Sequence, residues 1–478
     1  MRSTVLALTL ALASGCHHLP VWTGDVNVTP RERASIAQCG TGALTAAGKK
    51  SVTREPYLQS TTTTSTVVVW GSSAPNGRVV LTEPGGAQVA AAIATYVGDP
   101  ERREDRQRAQ RSGQEVAADD IYVVKAELEG LQPTHLYCYQ LFAHDIALTE
   151  PAPLATAAAP HPEDRIRFVA VGDTGTGGAA QRAIGKWIST QPFDLMLFMG
   201  DVAYKSGTAE QLQNNFFTPY RHFLRYVPAF PAIGNHERRT RRGRPYLEAF
   251  VLPEPERYYS FDWGNVHFVA IDTTQRDAKQ LVWLDEDLRR NKLPWVIVFG
   301  HHPMYTNSLR GPQLWIRRAF SKIITDHKVD IVVTGHEHQY ERFRIGGVNY
   351  IVSGGGGGQL TKFYGESRAL KQFTLHHFLA FDVSASTLKM NVIDIQGREL
   401  ETLELSKKPG GVKIKINDKP DGRSNDIQPE KKIVPDEKLH DEPDDDTQRQ
   451  KVKPGDETVP PATTQLAPQP LPAQPIAP

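Results

Sequence analysis

Cysteine is scarce in this 478-residue chain, with only Cys16, Cys39 and Cys138. Once Cys16 is set aside, at most one bridge can form. No charge of one sign dominates either, since 55 Lys and Arg stand against 54 Asp and Glu. A global field that would draw in nucleic acid or an anionic membrane is thereby excluded, so any recognition of charge must be local. A long hydrophobic run is missing too: Val5 to Ala13 is too short to span a bilayer. From about Lys407 onward hydrophobic periodicity gives way to Lys, Asp, Glu and Pro, ending in the Pro/Ala/Gln-rich stretch Val459 to Pro478. Such a composition cannot bury enough apolar surface to offset chain entropy, so residues 407–478 are expected to be a disordered tail.

The first residues have the shape of an export signal: Met1-Arg2, the short apolar run, then Leu12-Ala13-Ser14-Gly15-Cys16. That ending resembles a bacterial lipobox, although Ala13 stands where the pattern usually has Leu. The resemblance implies a lipoprotein signal over residues 1–16, membrane attachment through a lipidated Cys16, and a linker over 17–52. It also implies export, to the periplasm or outer membrane rather than the cytoplasm. In an oxidising compartment Cys39 and Cys138 can pair or stay apart and buried, and both alternatives stay open.

The length predicts two or three domains. Residues 53–158 carry short apolar segments, Thr66 to Trp70, Arg78 to Leu81, Tyr122 to Ala126 and Leu136 to Phe142, between Gly, Pro and Asn turns. Regular short strands of this kind predict a β-sandwich. Leu131-x-Pro133-Thr134-x-x-Tyr137 has the spacing of a tyrosine corner, and the segment resembles a fibronectin type III module. Glu101 to Arg111 is expected to be a solvated loop, and the Pro/Ala stretch 150–162 a linker without helix or strand. Residues 163–406 then alternate apolar strands with amphipathic stretches, which predicts an α/β domain.

Polar residues in this second domain follow the strands in a fixed way. Gly172-Asp173, Gly200-Asp201, Gly234-Asn235-His236, Gly300-His301 and Gly335-His336-Glu337-His338 each come directly after an apolar run. Carboxyl ends of strands form the functional crevice of α/β sheets, so these loops deliver their side chains to one edge. Carboxylates, imidazoles and an amide oxygen suit metals of hard to intermediate character, and the set is too large for one ion. Two metals can clamp the attacking and leaving oxygens of a displacement at phosphorus. Asp201 is the carboxylate best placed to bridge them.

The ordered set Gly-Asp-x-Gly, Gly-Asp-x-x-Tyr, Gly-Asn-His-Glu, Val298-x-x-His301 and Gly-His-x-His is that of the purple acid phosphatases, which this chain resembles from about Arg54 to Leu405. Tyr259 to His267 and His302-Pro-Met-Tyr305 also look like that family. The resemblance implies a four-layer α/β/β/α metallophosphoesterase sandwich behind the all-β fibronectin type III-like one. It implies Asp173, Tyr204 and His338 on a ferric ion, Asp201 bridging, and Asn235, His301 and His336 on a second ion, Fe(II), Zn(II) or Mn(II). His236 contacts the phosphate or the leaving oxygen in this family, and Glu237 is expected to orient it. His302 stands where a Ser is frequent, which leaves His236 and His302 both as candidates for the general acid.

The implied activity is hydrolysis of small phosphate monoesters by a metal-bound hydroxide. A phosphodiesterase or nucleotidase with two divalent metals is the rival on the same fold, and a non-catalytic surface-binding lipoprotein is the rival from another class. Nucleic acid is not expected as a partner, and no oligomeric state follows from the sequence. Gly354 to Gly358 can either approach a substrate or serve as a plain flexible loop. The run Arg238-Arg239-Thr240-Arg241-Arg242-Gly243-Arg244 either steers polyanionic substrates or is a solvated loop neutralised by nearby acids.

Overall fold

The computed structural model describes residues 37–41, 44, 46–73, 77–93, 95–96, 122–408 and 411–416. By contact the described residues fall in one unit. Residues 417–478, the signal segment with Cys16, and the stretch Glu101 to Arg111 lie outside the described residues.

The first part of the chain forms two antiparallel sheets. Strands β1 (Val52–Gln59), β2 (Ser65–Ser72), β3 (Arg78–Thr82), β4 (Gln88–Ile93), β5 (Thr95–Tyr96), β6 (Tyr122–Glu129), β7 (Leu136–Ala143), β8 (Ile146–Ala147) and β9 (Ala152–Ala155) divide between them. One sheet runs β1-β2-β6-β5; the other runs β4-β3-β7-β8, with β9 pairing β7. Trp70, Val68, Leu81, Tyr139 and Leu141 share the core between the two. Alternation puts Val67 and Val69 on the opposite face of β2, where they join the core of the following domain. That is why β2 reads as a continuous apolar run: both its faces are buried. The Tyr137 hydroxyl accepts from the Gln132 N–H at 3.0 Å, as the corner spacing predicts. Cys39 and Cys138 are bonded, which settles the open pairing.

Three expectations are corrected in this region and at the far end. The stretch 150–162 contains β9, whose Ala-Pro-Leu-Ala sequence has little strand propensity and is held by pairing to β7. Ordered backbone begins before residue 53, with a short helix at Ala46–Ser51 leading into β1. The first residues of the expected tail are not irregular, because strand Gly411–Ile416 pairs with the strand Glu399–Lys408. Val412, Ile414 and Ile416 alternate with Lys, a strand signal that the charge-rich composition hides.

The second part holds two mixed sheets. Strands β10 (Ile166–Val171), β11 (Leu195–Met199) and β12 (Ala229–Ala232) are parallel neighbours in the first. In the second, β13 (Tyr259–Trp263) pairs antiparallel with β14 (Val266–Ala270), which begins a parallel run with β15 (Trp295–Phe299), β16 (Ile331–Thr334) and, beyond β17 (Tyr340–Ile345), β18 (Val348–Ser353). Phe168 of one sheet meets Phe268 of the other edge-on, with centroids 5.1 Å apart. Alternate residues along each strand of the second sheet part company. Phe268, Ile297 and Val333 enter the core between the sheets, while Val269, Val298 and Val332 pack with Leu284, Leu288, Ile316, Phe320 and Ile324. Those last five sit at helical spacing on the helices Ala278–Arg290 and Leu314–Asp326, which cover the outer face. Helix Ala179–Thr190 lends Ile184 and Ile188 to the inter-sheet cluster.

The two parts of the chain are tightly joined. The Tyr57 hydroxyl donates to the Ala249 carbonyl at 2.5 Å, the Gln59 amide to Ala229 at 2.8 Å, and the Tyr139 hydroxyl to Arg225 at 2.8 Å.

Candidate metal centre

Each parallel strand ends where a polar side chain is needed. Asp173 follows β10, Asp201 and Tyr204 follow β11, Asn235 and His236 follow β12, His301 and His302 follow β15, and His336 and His338 follow β16. Both sheets point the carboxyl ends of these strands at one place, and backbone hydrogen bonds hold the loops together there. Asp173 N–H donates to the Gly200 carbonyl at 3.1 Å, and Gly335 N–H to His301 at 2.9 Å. Asp173, Asp201 and His336 hold φ angles of 58°, 52° and 69°. For residues with a Cβ that region costs of order 1 kcal/mol each, a strain tolerated where it aims a side chain. Gly175 is required by contact rather than by φ, because a Cβ there would lie 2.1 Å from the Val202 carbonyl carbon.

On one side Asp201, Asn235, His301 and His336 converge. The His301 Nδ1 lies 2.8 Å from the Met199 carbonyl. A carbonyl only accepts, so Nδ1 carries a hydrogen and, in the neutral ring that a metal would require, Nε2 presents a lone pair. That lone pair faces the Asn235 Oδ1 at 2.9 Å, the His336 Nδ1 at 3.2 Å and an Asp201 oxygen at 3.3 Å. The His336 Nδ1 is in turn 3.2 Å from the same Asn235 oxygen. On the other side the His338 Nδ1 donates to the Gln359 carbonyl at 2.6 Å, leaving its Nε2 beside the Tyr204 hydroxyl at 2.9 Å and an Asp173 oxygen at 3.3 Å. The Tyr204 hydroxyl is 3.1 Å from Asp173. Lone pairs outnumber hydrogens on both sides, which is the arrangement a cation completes. The oxygen and imidazole donors of Asp173, Asp201 and His301 lie within 4.8 Å of one another, as do those of His301, His302 and His336.

The electrostatics demand positive charge. Burial alone would raise the Asp201 carboxyl, but the His301 and His236 rings outweigh it and hold the group well below the usual carboxylate range. Burial alone would lower His301, and Asp201 outweighs it, raising the ring to about 10. The Tyr204 phenol is pushed far up by burial and by Asp173 and Asp201, so it keeps its proton unless a cation joins it. His336 and His302 are pushed well down by burial and by the neighbouring imidazoles.

The two acid candidates differ in access. His236 donates Nδ1–H to the Lys205 carbonyl at 2.6 Å, and its Nε2 lies 3.7 Å from Asp201 with a fifth of the side chain exposed (19%). His302 is 2% exposed, bonded to the Thr273 hydroxyl at 3.0 Å and tilted against the His336 ring, so it walls the site from within.

Glu237 is corrected as an orienter of His236. Its carboxylate accepts three backbone N–H bonds, from Asp201, Ala203 and Gly234, each at 2.9 Å. It therefore ties the loop after β11 to the loop after β12; burial and Asp201 push its pKa up to about 7. The glycine run is tied to the strand ends rather than left as a plain loop. Gly356 N–H donates to the Gly172 carbonyl at 3.0 Å and Gly358 N–H to Asp173 at 2.9 Å. A Cβ on Gly354 or Gly358 would lie 2.4 Å from the Glu337 carbonyl or the His338 ring. The run is close-packed beneath the site. Sequence reasoning also missed the Met199, Lys205 and Gln359 carbonyls, because a backbone acceptor has no side-chain signature.

Residues 166–340 match the sequence profile of the Calcineurin-like phosphoesterase family. Purple acid phosphatase 21 from Arabidopsis thaliana is 31% identical over 199 residues, covering 37% of this chain and 45% of that protein. Phosphoenolpyruvate phosphatase from Allium cepa is 27% identical over 226 residues, covering 41% of this chain and 46% of that protein. The chain thus spans about half the length of these relatives. A purple acid phosphatase from yellow lupin (Lupinus luteus) seeds superposes with a TM-score of 0.64 at 20% identity, over 73% of this chain and 74% of that one, a likeness of fold.

Proposed function

Because residues 166–340 carry a calcineurin-like phosphoesterase domain, we propose that the chain is a dimetal hydrolase of phosphate monoesters, of the purple acid phosphatase kind. The observation that carries the proposal is the convergence of lone pairs from Asp173, Asp201, Tyr204, Asn235, His301, His336 and His338 on two adjoining positions. Asp173, Tyr204 and His338 would hold one ion, Asn235, His301 and His336 the other, with Asp201 between them. When bound, the pair supplies Lewis acidity and an activated water at neutral or acidic pH. A ferric ion would suit the first position, beside Tyr204, since a phenol with an unperturbed pKa near 10 ionises readily only against high charge.

The protein's own part is orientation and proton handling. Met199 and Gln359 fix the tautomers of His301 and His338, and Glu237 fixes the loops that carry Asp201 and Asn235. His236, with Nδ1 held by the Lys205 carbonyl, turns Nε2 toward the site and in its protonated form donates to the leaving oxygen. His302 is placed too deep for that role.

Export as a lipoprotein through Cys16 forms part of the same proposal, and the Cys39–Cys138 bond supports it by its need for an oxidising compartment. The strand order of the two N-terminal sheets and the Tyr137 corner support the fibronectin type III-like reading.

The test is metal analysis of purified protein alongside turnover of phenyl phosphate and of bis-phenyl phosphate. Two metals per chain, one of them iron, a visible colour lost in Tyr204→Phe, and preference for the monoester are expected. A colourless, iron-free enzyme that is active and indifferent to Tyr204→Phe removes the ferric assignment. Preference for the diester removes the monoesterase assignment.

A further inference from the structure

Tyr204, the phenol beside Asp173 and His338, has its backbone gripped from both sides. Its N–H donates to the Gly175 carbonyl at 2.8 Å. Its own carbonyl accepts from the Asn215 side-chain amide at 3.0 Å. A carbonyl only accepts, so the nitrogen of that amide is the atom that faces it. Asn215 lies in a five-residue π-helical turn, Gln213–Phe217, set between the helices Ala209–Leu212 and Thr218–Leu224. Turns of this kind are rare and gather at functional sites. Gln211, one helical turn before Asn215, reaches the same bend of the chain: its Oε1 accepts from the Ser206 N–H at 2.9 Å and the Thr208 N–H at 3.3 Å.

Asn215 is itself held. Its backbone carbonyl accepts from the Gln181 amide at 2.6 Å, and the Gln181 Oε1 accepts from the Gly177 N–H at 2.7 Å. Gln181 is fully buried on helix Ala179–Thr190. The Asn215 Oδ1 lies against Gly177, where a Cβ would approach it to 2.8 Å. Next along the π-turn, Phe216 meets Phe198 of β11 edge-on, with centroids 4.8 Å apart. The segment is therefore seated on the strand that Tyr204 leaves, and Asn215 stands between the loop that carries Asp173 and the loop that carries Tyr204.

We propose that Asn215 is a positioning residue for Tyr204, fixing the course of the backbone beyond β11 so that the phenol oxygen meets Asp173 and His338. The inference rests on the phosphoesterase reading, with Tyr204 as a ligand within it. A tyrosine carries its oxygen at the far end of a rigid ring, so a small rotation of the backbone moves that oxygen much more than it moves the Cα. The phenol oxygen stands 3.1 Å from Asp173 and 2.9 Å from the His338 Nε2, a placement that such a rotation would undo. Partners that orient a ligand in this way are worth roughly 10 to 100-fold in metal affinity.

The experiment uses the full chain, stripped of metal and reloaded with Fe(III). Iron retention against citrate and the visible spectrum are recorded in wild type, Asn215→Asp, Asn215→Ala, Gln213→Ala, Tyr204→Phe and the Tyr204→Phe/Asn215→Asp pair. Asn215→Asp keeps the size of the side chain and turns an oxygen toward the Tyr204 carbonyl. It is expected to weaken iron retention by roughly 10 to 100-fold and to displace the phenolate band. Asn215→Ala, free of the repulsion, should give the same changes to a smaller extent. Gln213→Ala loosens the same helical segment by losing its bonds to Arg54 and Thr218, and should leave both readouts as in wild type. Added to Tyr204→Phe, the Asp substitution should cost little more, because its effect passes through the phenol. Wild-type behaviour of both Asn215 variants, an equal loss in Gln213→Ala, or losses that add in full in the pair overturn the inference and leave the ferric assignment standing. A Tyr204→Phe protein that keeps iron as wild type does removes the ferric assignment, and the inference falls with it.

Discussion

Two histidine clusters in the same domain meet burial in opposite ways. His267, on β14, is the cross-strand partner of Asp262 on β13. Its Nδ1 bonds Asp262 at 2.7 Å and its Nε2 bonds Asp287, on helix Ala278–Arg290, at 2.8 Å. Each ring nitrogen faces a carboxylate, so a proton on each completes the set, and the triad clips a helix to a sheet with its own atoms. Burial would lower this ring, yet the two aspartates raise it to about 9. At the strand ends the imidazoles of His301, His336 and His338 are already committed by their carbonyl contacts or face one another. The rings crowd the same acceptor: the His301 Nε2 and the His336 Nδ1 face both the Asn235 Oδ1 and each other. What separates a structural histidine from a metal-holding one is therefore the count of lone pairs against hydrogens, and not burial, which both clusters share.

The comparison breaks most visibly at Asp201. Asp201→Asn removes the charge that both sides of the centre lean on, and turnover is expected to fall by about 1,000-fold or more, roughly 4 kcal/mol of lost transition-state stabilisation. Metal content should fall with it, while the pH dependence of unfolding contributed by His267 stays as in wild type. An Asp201→Asn enzyme with normal metal content and rate would place the chemistry elsewhere.

His267 makes the complementary prediction. Its folded pKa, about 9, lies above the unfolded value near 6.5, so the folded state binds the extra proton and the triad's contribution is present in full below about 6.5. That contribution falls as pH rises through 9. Allowing for the exposure of Asp262, it amounts to roughly 2–3 kcal/mol. Urea unfolding of wild type and His267→Gln, both stripped of metal, should differ most at pH 6 and converge toward a residual packing difference near pH 10. A gap that is constant across this range would mean that the ring is neutral. The smallest effect is at Ser260, whose hydroxyl donates to Asp287 at 2.7 Å. Ser260→Ala should cost about 1 kcal/mol in urea unfolding, without altering metal content.

The ligand-type side chains were legible because each follows an apolar strand and a glycine, so position along the chain already implied position at one sheet edge. Strands β10, β11, β14, β15 and β16 were legible for the same reason, as runs buried on both faces. What escaped was whatever depends on backbone: the carbonyls of Met199, Lys205 and Gln359, the three N–H groups gathered by Glu237, and the packing of Gly354 to Gly358. Strand β9 escaped because pairing supplies what its residues lack, and Gly411–Ile416 because lysines interleave its apolar positions.

Strand β2 belongs to two interiors at once, with Val68 and Trp70 in one and Val67 and Val69 in the other. The seam between the two parts of the molecule consequently passes through the thickness of a strand rather than along a linker. A module bounded this way is poorly suited to being shuffled: transplanted alone, the sandwich would carry away an oily flank formed by Tyr57, Val67, Val69 and Val123, and the remainder would keep a raw patch around Phe217 and Phe250. Heredity of the two halves is tied, so a change of volume on one face of β2 is felt first by its neighbours in the half on that side, and any drift of the strand is felt by both.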